Sequence, residues 1–130
     1  MKPPKLWGFF ICYHIYIGMK YILTESKMMN VYYKFLDELC KNLETEVDPH
    51  NPRDVYYVKD GKVFMLYDTK NELLNISYEE VIAPFEQMFS ELFTSSREIR
   101  MIIKNWAKDR YSLTVDGTYT VIEFEYKPKK

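Results

Sequence analysis

Side chains suited to chemistry are scarce in this chain of 130 residues. His14 and His50 are its only histidines, and Cys12 and Cys40 its only cysteines. Neither histidine stands near a Cys or Ser in a pattern that would pair a nucleophile with a base. The cysteines form no Cys-x-x-Cys and no Cys/His spacing for zinc, and they are too few for a disulfide framework. Asp48, His50 and Asp54 could converge on a metal from one loop, but they read more simply as polar side chains of an exposed proline-rich loop. Glu79, Glu80 and Glu86 suit helix N-termini and surface charge better than an acid/base pair. Glycine occurs only at positions 8, 18, 61 and 117, which leaves neither a phosphate-cradling loop nor a dinucleotide fingerprint. The expectation is a non-enzymatic protein with no catalytic residues, no metal and no cofactor.

One set of residues does suggest a surface. Arg97, Arg100, Lys104 and Lys108 are spaced by three, four and four, so at about 100° per residue they share a narrow arc of a helix. Ile99, Ile102, Ile103 and Trp106 share the opposite side. The four basic residues are the candidate binding face. The formal net charge of −1 hides a segregation, because residues 94–111 hold five basic and two acidic groups while residues 61–93 hold two and six. An acidic middle argues against a protein that coats nucleic acid and against an all-over acidic mimic of it.

The elements that must position this face follow from periodicity. From Met28, Tyr32, Phe35, Leu36, Leu39 and Leu43 make the stripe of an amphipathic helix. Asp48 to Asp54 reads as a loop because Pro49 and Pro52 lack backbone donors. Val55–Lys59 and Lys62–Tyr67 pair across Asp60-Gly61, a type I′ signal. Val63–Tyr67 is apolar without alternation, like a strand covered on both faces. Leu73–Tyr78 alternates, which suits an edge strand. Ser77 with Glu80, and Ser95 with Glu98, make two capping-box patterns, and Pro84 predicts a kink or a fresh helix start. Tyr111–Val115 and Thr118–Tyr126 then predict a hairpin across Asp116-Gly117. The fold expected is α+β: an N-terminal helix, a three-stranded antiparallel meander, two helices and a C-terminal β-hairpin. A single domain would span 28–126, followed by a basic tail at 127–130.

Residues 1–27 stand apart. Leu6–Leu23 is apolar after Lys2 and Lys5, but no Ala-x-Ala cleavage pattern follows. As a membrane span it is short and holds His14 and Lys20. It reads alternatively as a packed strand or helix, as a membrane anchor, or as translation from a misplaced start ahead of Met19, Met28 or Met29. The wealth of Lys, Asn, Ile, Tyr, Phe and Met implies an AT-rich gene. A cytoplasmic setting is the expectation, with membrane attachment only if 6–23 is an anchor.

Two binding functions are compatible with these features. The first is a protein-interaction module, with a host protein or a second copy as partner, supported by abundant aromatics and segregated charge. The alternative is a winged-helix-like nucleic-acid binder that presents the basic face of helix 95–110 to a groove and the 111–126 hairpin as its wing. Against the alternative, bulky Phe89 and Phe93 occupy positions where close helix crossing needs small residues. The run Tyr56-Tyr57-Val58-Lys59-Asp60-Gly61-Lys62-Val63, then Ile76-Ser77-Tyr78-Glu79-Glu80, then Glu98-Ile99 before Ile103 and Trp106, resembles small uncharacterised proteins of bacteriophage type over residues 55–111. The resemblance implies an accessory protein acting in a host cytosol, and it implies no activity or site.

Overall fold

The computed structural model describes residues 25–92 and 95–129. The readings of the 6–23 run, and Phe93 and Thr94 at the helix break, lie outside these residues. In chain order the elements are α1 (Glu25–Leu39), β1 (Glu44–Asp48), β2 (Asn51–Lys59), β3 (Lys62–Asp68) and β4 (Leu73–Ser77). A π-helical turn (Tyr78–Ile82), α2 (Ala83–Phe89), a 3-10 turn (Ser90–Leu92), α3 (Ser96–Tyr111) and β5 (Gly117–Val121) follow. The strands make one mixed sheet in the order β1-β2-β3-β4-β5. The first four run antiparallel to their neighbours, and β5 joins β4 in parallel. The fold is α+β.

α1 buries most of the predicted stripe, with Tyr32, Phe35 and Leu36 packed against the sheet and α2, but it ends at Leu39 and leaves Leu43 beyond the helix. Tyr32 meets Phe89 edge-on at 5.1 Å, a geometry that suits the ring quadrupoles. The helix stops before Asn42, which adopts φ 65°. Its carbonyl end is satisfied from a distance: the Lys59 ammonium donates to the carbonyls of Leu39 at 3.1 Å and Lys41 at 3.0 Å. A cation is favoured there because those carbonyls have no partner within the helix.

The Asp60-Gly61 turn forms as expected, with φ 54° and 76°. Pairing passes from Tyr57↔Met65 to Val58↔Val63, so Phe64 is an extra residue that bulges β3. That bulge lets Val63, Phe64 and Met65 all be buried. Helices cover one face of the sheet, where Tyr57, Met65, Tyr67, Leu74 and Ile76 meet Phe85, Ile103 and Trp106. The other face carries Tyr56, Val58 and Val63, covered by Phe124 and Tyr126 from the chain after β5. The absence of alternation in β3 thus has the predicted cause.

Three expectations are corrected, and a fourth, the Ser77 cap with a restart at Pro84, is met. Residues 44–54 are largely strand: β1 and β2 flank a tight turn in which the Asp48 carboxylate accepts the His50 N–H at 2.9 Å, so the meander has four strands instead of three. β4 is not an edge, because β5 pairs with its second side. Ser77 does cap Glu80, its hydroxyl accepting that N–H at 3.1 Å, but it opens the π-helical turn, and α2 starts afresh at Ala83 with Pro84 in its first turn. The 111–126 hairpin does not form. α3 runs to Tyr111 and ends at Ser112 in the left-handed region. Residues 113–116 are then fixed by the sheet: Tyr67 donates its hydroxyl to the Thr114 carbonyl at 2.6 Å, Asp116 N–H reaches the Glu72 carbonyl at 2.7 Å, and Val115 is buried. Pairing β5 with β4 satisfies a long strand edge that a local hairpin would have left open.

Candidate interaction surface

α3 turns Ile99, Ile102, Ile103, Trp106 and Ala107 inward. Its polar side is not uniform. Arg97 and Lys108 are exposed, and Lys104 is half-buried. Arg100 leaves the set: its guanidinium Nη1 donates to the Ser96 hydroxyl at 3.1 Å and to the Thr120 hydroxyl of β5 at 3.2 Å. Its Nε is buried without a hydrogen-bond partner among the described residues. Three of the four sequence-predicted residues therefore remain on the outer surface, and the fourth ties α3 to β5. Among the described residues, no carboxylate lies within ion-pair distance of Arg97, Lys104 or Lys108.

The Arg100 contact fixes which flank of α3 overhangs β5. Arg97 and Lys104 stand at i−3 and i+4 from Arg100, so they are its neighbours on the helix surface. β5 itself reads Gly-Thr-Tyr-Thr-Val and, among the described residues, has a strand on one side only. Thr118 and Thr120 pair with the core residues Leu74 and Ile76 and so point to the helix side, while Tyr119 pairs with Asn75 and points to the opposite face. Tyr119 is 56% exposed and the following Ile122 75% exposed. The opposite edge, β1, carries Glu44, Glu46 and Asp48. It is strapped by the tail, where the Tyr126 hydroxyl and the Lys129 N–H both donate to Glu46 Oε1, at 2.7 and 2.9 Å. Charge and cover discourage pairing at one edge, and among the described residues the other has neither. Sequence reasoning missed this surface because it placed Thr118–Tyr126 in a hairpin.

The remaining titratable groups are held apart or engaged locally. Burial pushes the Cys40 thiol up to about 12, which removes thiolate character at neutral pH. Asp37 accepts both Arg110 Nε at 2.8 Å and Trp106 Nε1 at 2.8 Å. Burial, then the neighbouring Asp68, raise the Asp54 carboxyl. Glu80 faces Lys62 at 3.9 Å, and Glu86 accepts the Tyr78 hydroxyl at 3.4 Å. A groove of about 620 Å³ beside the start of α3 is lined by Tyr78, Glu86, Gln87 and Ser90 with Ser95 and Ser96. Ser95 makes no side-chain cap there, unlike the capping box expected. Among the described residues, no helix is long and apolar enough to cross a membrane. No family model, curated protein or solved structure matches the chain.

Proposed function

We propose that this chain is a small non-catalytic accessory protein, of the phage-type kind its sequence resembles, that works by binding another protein. The observation that carries the reading is the contrast between the two sheet edges. Edge strands are ordinarily blunted by charge, bulges or cover, as β1 is by Glu44, Glu46 and the strapped tail. An uncharged edge that carries exposed Tyr119, with exposed Ile122 just past its end, is what strand addition uses. The nucleic-acid alternative loses its wing, since residues 117–121 belong to the main sheet, and it loses Arg100 to an internal contact.

The test is capture from nuclease-treated host lysate by the immobilised full chain, with Tyr119→Lys beside the wild type. A partner retained at constant stoichiometry by the wild type and lost on Tyr119→Lys supports the reading. Capture that is abolished by nuclease, and unaffected by Tyr119→Lys, would replace it with the nucleic-acid alternative.

A further inference from the structure

The β5 edge also carries information about what it would accept. The geometry points to an extended segment of a partner protein in which acidic and apolar residues alternate, added as a sixth strand with its acidic side chains toward α3. This inference rests on the protein-binding reading above and names the chemistry of the partner.

A strand added outside β5 continues the pleat. Side chains opposite Thr118 and Thr120 would rise on the helix side, beneath the flank that Arg100 docks onto Thr120. There Arg97 and Lys104, the helix-surface neighbours of Arg100, would come within reach, as cations with no carboxylate at ion-pair distance among the described residues. Acidic residues are the complement at those positions. Alternate side chains would fall on the opposite face, beside Tyr119, where an apolar group covers exposed aromatic surface.

Self-pairing fits worse in both available modes. A two-fold pairing of β5 with its own copy would bring two basic flanks of α3 toward each other, and would set Asp116 beside the copy's Glu123. A head-to-tail pairing of β1 on β5 would keep each face of the sheet on its own side. Glu44 and Glu46 pair with Val58 and Tyr56, which lie on the face away from the helices, so they could not reach Arg97 or Lys104. A partner chain of different sequence therefore fits better than a second copy.

The experiment measures binding of labelled synthetic heptapeptides to the full chain by fluorescence anisotropy. The probes are Glu-Ile-Glu-Val-Glu-Ile-Glu, its lysine counterpart, and the acidic peptide with proline at its centre. Expected is binding of the acidic peptide, weakening as salt screens the contact, with at least about tenfold weaker binding of the other two. The double variant Arg97→Glu with Lys104→Glu should reverse the preference in favour of the lysine peptide. Both sites are solvent-facing or half-buried, and circular dichroism verifies that the variant folds. Equal binding of acidic and basic peptides, retained binding of the proline peptide, or no binding at all would overturn the inference. If lysate capture still depends on Tyr119 in that case, the protein-binding reading survives it. A two-chain mass on sedimentation that Tyr119→Lys abolishes would overturn it in favour of a second copy.

Discussion

Arg100 of α3 reaches the Thr120 hydroxyl of β5 across 3.2 Å, so the residue at the centre of the predicted basic face serves the fold. The contact crosses between the helix layer and the last strand of the sheet. Arg100→Ala should therefore lower stability by about 1–2 kcal/mol, through lost hydrogen bonds and lost packing of its stem. Arg97→Ala and Lys108→Ala, both at exposed positions, should stay within roughly 0.5 kcal/mol of the wild type. Urea unfolding checks this ranking. Equal effects at all three positions would mean that Arg100 is no more structural than its neighbours.

The strap across the back of the sheet gives a second ranking. Tyr126 stacks on Tyr56 with ring centroids 4.1 Å apart and planes 16° from parallel, and its hydroxyl donates to Glu46. That carboxylate, more than burial, pushes the Tyr126 hydroxyl up to about 12, so the hydroxyl keeps its proton for Glu46 further into alkaline pH than an ordinary tyrosine. Tyr126→Phe keeps the stack and loses the bond, whereas Tyr126→Ala loses both. The Tm should fall in the order wild type, Phe, Ala, and limited proteolysis of the tail should accelerate in the same order. A tail cleaved at one rate in all three proteins would show that the ring does not hold it.

Much of the scaffold was legible because its causes are local. The α1 stripe, the two positive-φ positions at Asp60-Gly61, the Ser77 cap and the restart at Pro84 each depend on residues within a turn of one another. β5 depends on Leu73–Ser77, some 44 positions earlier, which a local reading of Tyr111–Tyr126 cannot weigh. A shorter separation, 20 positions, hid the role of Arg100, since a helical wheel places it among cations and contains no β5. β1 was obscured by its charges: Glu44-Thr-Glu-Val-Asp48 alternates, but the flanking Pro49 and Pro52 read as loop. The interaction surface was half legible, its basic residues visible and its strand edge not.

Two glycines separate the turn that formed from the one that did not. Gly61 sits at φ +76° in open space, so Gly61→Ala meets no clash but places a Cβ in the left-handed region, at about 1–2 kcal/mol. Gly117 has no left-handed φ, and an added Cβ would meet only the Leu73 Cδ2 atom, at 3.2 Å. The far end of that leucine can move aside, so Gly117→Ala should cost less than Gly61→Ala. A type I′ hairpin at Asp116-Gly117 would require the two costs to be alike. Matched denaturation curves decide between them, and equal losses would restore the hairpin.

Asp37 sets the acid limit of the helix pair. Its carboxylate accepts Arg110 Nε at 2.8 Å and Arg110 Nη2 at 3.0 Å, together with the Trp106 indole N–H. The hydrogen bonds from Arg110, ahead of the one from Trp106, hold its carboxyl below the ordinary value of 3.8, against the opposing effect of partial burial. A carboxyl depressed in the folded chain is protonated first in the unfolded one. Its contribution is therefore complete above the ordinary carboxylate value and disappears as pH falls through the folded value. With the pair 41–42% exposed, that contribution is on the order of 1 kcal/mol after solvent screening. Asp37→Asn should lower the Tm at neutral pH, and the gap from the wild type should narrow as pH drops below about 4. A gap that stays constant down to acid pH would place the effect in the shape of the side chain and not in its charge.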